Sequence, residues 1–498
     1  MLTRAVSSPF ISSSSRRPAG RSRANPQRSL LGGARATVGV LALLTVIACC
    51  FALAAGTASR PTGRVPASVG GFPGWLSGPL HGLHIGLGLY GFQTLEFILF
   101  GAWLVALIGA DAVPLRLLLA GVALADLALV LGPVILSQDA FGYLSFARMG
   151  VLHGLDPYTH TASAAPQDAL YRYLGWHNVH SPYGPLFTLP TYALVPLGAA
   201  GGMWALKIIA GAAAAGGTVV IARAAALSGR PAGFAAAFVG LNPALLSFAV
   251  GGAHNDLIIV LLTGVVMLAL AVERPARGAA AGVLAATIKI SSTLLLPFVL
   301  ASREAAGRRR EILIAAAIAA VIAGIIAVIG FGPHALGFVG TLRGEQQHSS
   351  QYSVPEQFAR AFGISGFPNW WRHLVDALLA VVICVGLVLT WRGADWRTTA
   401  GWATYALVCS TTFLLSWYVI WVLPLAAVSR DRLLRVATVV LTAYVILFHL
   451  PFGHQIGLSM PRPRPVHRQV VHAPRARRRH HAPRTSGRLG RTASPRRG

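Results

Sequence analysis

The chain has 498 residues, 54% of them hydrophobic and only 11% charged, and its mean hydropathy is +0.61. A soluble domain carries about a quarter of its residues as charges, so a water-exposed globule is excluded and an all-α, polytopic membrane protein is expected. The formal charge of +27 is concentrated at the two ends and in short loops, where it orients a chain in a bilayer; the expected partners are membrane and lipid, with no nucleic acid. Cys49, Cys50, Cys384 and Cys409 fall in apolar runs without CxxC spacing and read as small core residues. Lys207 and Lys289 are the only lysines in an arginine-rich chain, which makes the position of each informative.

Residues 1–35 are Ser/Arg/Pro-rich without a periodic apolar face and are expected to form a disordered basic cytoplasmic arm. A transmembrane domain should follow over 36–454, with room for about 11–13 helices at roughly 20 residues per span. Its first span is 36–56. The small residues Ala55-Gly56-Thr57-Ala58 after it admit a cleaved signal peptide as the rival reading, but the apolar run is longer than a signal core and an uncleaved anchor is favoured. With the N-terminus inside, the chain emerges for 57–90, returns through about 91–110 and leaves again through about 115–136. Asp139 then lies just outside the membrane.

The next runs test this parity. Arg223, Arg230 and the segment from Glu273 to Arg277 can all be cytoplasmic only if one run does not cross, and 186–200, short and containing Pro190 and Pro196, is the one expected to stay at the outer surface. His254-Asn255-Asp256 is then outside with Asp139. A full crossing at 279–301 would place Arg303 and Arg308 to Arg310 outside, so a broken pair of half-helices turning around Lys289 is expected there. Irregular backbone at that depth is tolerated where it lines a cavity, into which Lys289 should point. Later spans are expected at 312–330, 373–391, 399–416 and 433–450, with a second outer loop over 332–372 that carries Arg343. Trp417, Tyr418 and Trp421 read as aromatic-belt residues at an outer turn. From 455 to 498 the text becomes a Pro/Arg-rich low-complexity tail, an abrupt break that suggests a shifted reading frame or a divergent truncation.

The first outer loop, 137–185, holds three aspartates, four histidines and many Tyr, Trp, Gly and Pro residues, more chemistry than a connector needs. Asp139 and Tyr143 share a face if Gln138 to Leu152 is a helix closed by Gly154. An acid at that place also suits a helix cap, but its setting among three aspartates, a His-rich segment and SPYGP in one outer loop points to a role in chemistry. Asp156-Pro157-Tyr158 has a plain turn reading, with the shaping of an acceptor cleft as the alternative. His177, His180 and Tyr183 beside Trp176 suit sugar hydroxyls, or simply an interface. His254-Asn255-Asp256 follows Gly251-Gly252, so a sharp turn presents three polar side chains together. Lys289 and Arg343 suit a lipid phosphate, since fixed cations at a low-dielectric site stabilise a departing phosphate. Asp126, thirteen residues before Asp139 and so roughly 20 Å deeper, is expected to be a structural polar contact. No spacing matches a zinc pattern such as HExxH; the metal requirement is unknown.

The order SQDAFGY, GLDPY, SPYGP, NPALLSFAVGGAHND, TIKISSTLLLP and SWYVIWVLP resembles the actinobacterial polyprenol-phosphomannose-dependent α-1,6-mannosyltransferases of lipomannan assembly, over about 115–450. The resemblance implies the C-type (GT-C) glycosyltransferase fold, polyprenyl-phosphate-mannose as donor and an extracytoplasmic cell-envelope mannan or lipomannan as acceptor. It makes Asp139 the catalytic aspartate and Asp256 the second acid. Asp156-Pro157-Tyr158 stands where Asn-Pro-Tyr is common. Tyr143, Asp156, Tyr158, His180, Tyr183, His254, Asn255, Asp256, Lys289, Arg343 and Tyr418 are the expected substrate-binding residues. No cofactor is firmly implied, although a divalent metal is compatible. The alternatives are α-1,2-mannosyl or arabinosyl transfer from a related donor, or a lipid-sugar transporter; two long polar outer loops and no repeated halves favour the enzyme.

Overall fold

The computed structural model describes residues 26–59, 74–345, 347–350, 352–364 and 367–449. The expected tail over 455–498 lies outside the described residues. Every described regular element is helical: α1 (Pro26–Ser59), α2 (Gly74–Ser77), α3 (Leu89–Gly109), α4 (Leu115–Leu131), α5 (Asp139–His153), α6 (Pro185–Thr191), α7 (Gly198–Leu227), α8 (Ala232–Gly240), α9 (Asp256–Ala271), α10 (Pro275–Ile288), α11 (Leu295–Ala301), α12 (Arg309–Phe331), α13 (Gly337–Glu345), α14 (Val354–Ala361), α15 (Asn369–Trp391), α16 (Trp396–Ser410), α17 (Leu423–Val428) and α18 (Arg432–His449). Helix α1 begins at Pro26, inside the 1–35 stretch expected to lack structure. Proline is well placed there, because the first helical residue has no intrahelical use for its N–H.

Among the described residues, five helical stretches are long and apolar enough to cross a bilayer: Gly33–Ser59, Leu89–Gly109, Pro185–Leu227, Arg309–His334 and Asn369–Trp391. The pair Ala232–Gly240 and Ala244–Val250, bent by 46°, makes a sixth if it is one span. This is a polytopic membrane protein, but fewer helices meet that length than the 11–13 expected. The difference has a physical cause. Helices α4, α9, α10 and α16 have 17, 16, 14 and 15 residues, or about 21–26 Å at 1.5 Å per residue, short of the roughly 30 Å hydrocarbon. Apolar runs that look continuous in sequence are cut by Gly, Pro and polar turns.

Close backbone approach joins the bundle. A Cβ on Gly109 would lie 2.6 Å from the Cα of Gly39, and one on Gly217 would lie 3.3 Å from the backbone of Leu261, so α1 meets α3 and α7 meets α9 through small residues, as membrane helices commonly do. The 186–200 run does not form one straight helix: α6 gives way to a 3-10 segment, Tyr192–Leu197, and α7 starts at Gly198, which has a positive φ of 72°. Asp126 is buried on α4, and neither carboxylate oxygen has a hydrogen-bond partner among the described residues. The structural contact expected of it is absent there, and nothing in the structure explains its presence.

Candidate active site

Three short segments meet around Asp139. The first follows α4, where Gly132 ends the helix and Pro133 cannot continue its ladder. The backbone N–H of Ile135 then donates to the carbonyl of Gly251 (3.0 Å), Leu136 takes a left-handed φ of 63°, and α5 begins. The N–H of Asp139 donates to Ser137 Oγ (3.1 Å). Asp139 is the first residue of α5, where helix-dipole charge favours an acid. Its carboxylate does not cap the helix; its hydrogen bonds are with the side chains of Tyr183 and Ser137. Gly154 closes α5 in a left-handed conformation, as the sequence suggests.

The second segment is Asn242 to Asp256. Asn242 Oδ1 accepts from the N–H of Ala244 (2.9 Å) and Leu245 (3.3 Å), starting a π-helix over Ala244–Val250, a geometry frequent at functional sites. Glu96 on α3 pins it by accepting from Ser247 Oγ (3.0 Å). The π turn ends in Gly251-Gly252. A Cβ on Gly252 would collide with the carbonyl of Phe248 and the His254 ring, and Ala253 adopts φ 54°. Two non-glycine residues in left-handed conformation, Leu136 and Ala253, thus stand at the entrances to Asp139 and His254; such strain persists only where surrounding structure holds it.

His254, Asn255 and Asp256, expected to bind substrate, are buried, and the contacts they make here are with neighbouring side chains. His254 Nδ1 lies 3.6 Å from Asp139 Oδ2 and 3.3 Å from the hydroxyl of Tyr143, while its ring stacks on Trp417 at 3.7 Å. Tyr143, also buried, donates its hydroxyl to Asn255 Oδ1 (3.3 Å). Its ring meets Tyr183 and Phe187 edge-on, at 4.6 and 4.9 Å.

The third segment carries Lys289. Helix α10 ends at Ile288, Lys289 is extended (φ −144°, ψ 119°), and a 3-10 turn over Ile290–Leu294 leads into α11. The expected break is at Lys289. Its Nζ lies 2.7 Å from Asp256 Oδ1, which also accepts from Trp421 Nε1 at 2.6 Å. The ammonium sits over the rings of Tyr418 (4.9 Å) and Trp421 (5.0 Å), which stack on each other at 4.3 Å. Trp417 and Trp421 are 6% and 8% exposed, so they are walls of the site and not an aromatic belt. Lys289 and Asp139 each keep 16% of their side chain exposed, whereas Asp256 keeps none; these two charges are the accessible ones.

SPYGP fastens the outer loop to this centre. The N–H of Gly184 donates to the carbonyl of Ile288 (3.1 Å), and a Cβ on Gly184 would collide with the carbonyl of Thr287. Only glycine allows so close an approach. Asp156 makes the turn its sequence suggests, accepting from the N–H of Tyr158 (2.8 Å) and pairing with His334 Nδ1 (3.0 Å). Tyr158 is buried and donates to the carbonyl of Tyr183 (2.8 Å). These two expected substrate residues therefore support the loop. His180 Nε2 lies 3.2 Å from the carbonyl of Thr159, and His177 Nε2 lies 2.9 Å from that of Tyr171. Arg343 is exposed on α13, and no hydrogen bond or ion pair joins it to the cluster among the described residues. Asp168 is a support that sequence reasoning passed over: Arg148 Nε (3.0 Å) and His153 Nε2 (2.9 Å), both on α5, bind it.

Burial pushes the Asp139 carboxyl up from 3.8 to about 6; Lys289 opposes the rise, Asp256 adds to it, and hydrogen bonds from Tyr183 and Ser137 oppose it. Burial, aided by the charge of Lys289, holds His254 well below the usual imidazole range, so the ring is neutral. Its buried Nε2 has no hydrogen-bond partner among the described residues; a proton on Nδ1 therefore faces the two available oxygens. Burial, with Asp139 and Asp256, raises the Tyr143 phenol and keeps it a donor.

A family model described as "Alpha-(1->6)-mannopyranosyltransferase, N-terminal domain" matches residues 36–304. The chain belongs to the alpha-(1->6)-mannopyranosyltransferase family. It is 27% identical over 328 residues to alpha-(1->6)-mannopyranosyltransferase A of Corynebacterium glutamicum, covering 62% of this chain and 56% of that protein. It is 27% identical over 360 residues to alpha-(1->6)-mannopyranosyltransferase A of Mycobacterium tuberculosis, covering 65% of this chain and 68% of that one. The chain therefore spans little more than half the length of the first relative. No solved structure matches it.

The matched segment of this glycosyltransferase family contains Asp139, Tyr143, His254, Asp256 and Lys289. Trp417, Tyr418 and Trp421 lie beyond it, so the later part of the chain completes the walls. Among the described residues no group of three or more His, Cys, Asp or Glu side chains is placed to hold a metal ion. The two nearby carboxylates are unequal, since Asp256 Oδ1 is already engaged by Lys289 and Trp421.

Proposed function

We propose that the chain transfers mannose from polyprenyl-phosphate-mannose to an extracytoplasmic mannan or lipomannan acceptor, forming an α-1,6 linkage. The observation that carries this reading is the pairing of one partly exposed carboxylate, Asp139, raised to about 6, with one partly exposed ammonium, Lys289, in the same cluster. An acid so tuned is half ionised just below neutral pH, near the optimum for a general base. Asp139 takes the proton of the acceptor hydroxyl as that oxygen attacks the anomeric carbon. The bond from that carbon to the phosphate oxygen breaks, and the electron pair leaves with polyprenyl phosphate, whose charge Lys289 faces. A single displacement inverts a β-linked donor to an α product.

The buried residues support this division of roles. Asp256 and Trp421 hold Lys289 in place, and neutral His254 aims an N–H toward Asp139. Asp139→Asn keeps the shape and removes the base, so transfer in membranes supplied with polyprenyl-phosphomannose should fall by about 10² to 10⁴, roughly 3–5 kcal/mol of barrier. Near wild-type transfer by that variant overturns the assignment. Glycan analysis of a strain lacking the gene, complemented with wild type or Asp139→Asn, tests sugar and linkage; loss of arabinose or of α-1,2-mannose instead refutes the α-1,6 reading. An outer location rests on the sequence reading in which 115–136 crosses, although α4 within it has 17 residues, and labelling of Asn178→Cys by an impermeant thiol reagent on intact cells tests it.

A further inference from the structure

The other lysine is not used by this mechanism. Lys207 lies on α7, is fully buried, and its Nζ donates to the carbonyls of Leu129 (3.1 Å) and Pro133 (3.1 Å). Those oxygens bracket the end of α4, where the last carbonyls of a helix lack intrahelical donors and a basic group is favoured by the helix dipole. No carboxylate forms an ion pair with Lys207 among the described residues. A methionine would fill the same space without the cost of burying an amine, so the distinctive contribution of lysine is its hold on the turn. Trp204, one turn earlier on α7, donates its Nε1 to the carbonyl of Trp75 (3.0 Å) and closes the same corner.

From Pro133 the chain runs through buried Val134 and Ile135. Ile135 is tied to Gly251, Leu136 is left-handed, and Asp139 follows. The segment is thus fixed at two places: by Lys207 at its start, and by the Gly251 carbonyl next to the His254 turn at its middle. We infer that Lys207 is a positioning residue for the transfer reaction, setting the placement of Asp139 through the 133–138 segment. Removing its two hydrogen bonds frees the upstream end while the Gly251 tie remains, so the carboxylate is displaced relative to His254 and Lys289. A misplacement of about 1 Å costs as much as about 10²-fold in rate.

This inference rests on Asp139 being the base, and the experiment separates the two. Transfer is measured for wild type, Lys207→Met, Asp139→Asn and the double variant, in full-length protein in membranes with polyprenyl-phosphomannose. Lys207→Met should lower kcat about tenfold to a hundredfold, leave KM for the lipid donor within about twofold, and add almost nothing to the loss already caused by Asp139→Asn. Unchanged kcat in Lys207→Met overturns the inference, and so does an equal further loss in the Asp139→Asn background, which marks a general structural role. Should Lys207→Met not accumulate in the membrane, Lys207→Leu, which also removes both hydrogen bonds, is put through the same cycle, and the same two results overturn the inference. An active Asp139→Asn variant instead brings down the proposed function itself.

Discussion

The electrostatics of the cluster make a signed prediction about pH. Asp139 works as a base only when ionised, and its carboxyl stands at about 6. The kcat/KM of the wild type should therefore rise through pH 6, with about a tenth of plateau activity at pH 5. Lys289 is the larger charge acting on Asp139 and lowers its pKa; Asp256 is the smaller and raises it. Lys289→Met removes the lowering charge and leaves Asp256 unpaired, so the ascending limb moves to higher pH. Asp256→Asn removes a raising charge, so the limb moves to lower pH. The double variant loses both, and because Lys289 is the stronger, a small net rise remains.

The single Lys289→Met variant also strands a buried carboxylate, at a cost of about 3–5 kcal/mol, whereas the double variant avoids that penalty and is the safer one to purify. The assay is initial-rate transfer of labelled mannose from pH 4.5 to 8.5 at donor concentrations well below KM, where kcat/KM reports the free enzyme. Shifts of the same sign for Lys289→Met and Asp256→Asn, or a limb in the wild type that does not move in either, would refute the claim that this limb belongs to Asp139.

Two further perturbations test the walls. Trp421→Phe keeps the stack on Tyr418 but deletes the 2.6 Å bond to Asp256; a hydrogen bond to a charged group contributes about 1.5–3 kcal/mol, so thermal stability in detergent should drop, with transfer reduced as Lys289 loosens. Unchanged stability and rate would remove Trp421 from the site. Gly184→Ala forces a methyl group against the carbonyl of Thr287, and overpacking typically costs about 1–3 kcal/mol; faster protease cleavage within 154–184 is the expected signature, and wild-type resistance would show that the loop is not seated on α10 by this contact.

Some of the site was legible because unusual residues stand out in an apolar text. Asp139 and Lys289 are rare charges beside apolar runs, and the helix break at Lys289 follows from the need to keep the arginines after it on one side. Glycine pairs before a polar triplet announced the turn at His254. The roles were harder to read. His254 and Asp256 look like ligand-binding groups in sequence, yet both are buried and face neighbours. Trp421 sits 165 residues from the acid it bonds, and an aromatic in an apolar run carries no mark of whether it faces lipid or a carboxylate. Among the described residues fewer single helices are long enough to span than hydropathy suggests, for a related reason: hydropathy registers an apolar run, but not where Pro, Gly or a π turn ends the helix within it.

Composition and the sparse placement of charge determined by themselves that this chain is helical and lies in a membrane, and they drew attention to residues 137–185. That much follows because hydrocarbon admits few charges and only self-satisfied backbone. Tertiary structure alone decided which charges are accessible and which serve as supports. Asp139 and Lys289 retain an open face, while Asp256, His254 and Lys207 are enclosed, and enclosure depends on how distant segments pack, which no local spacing records.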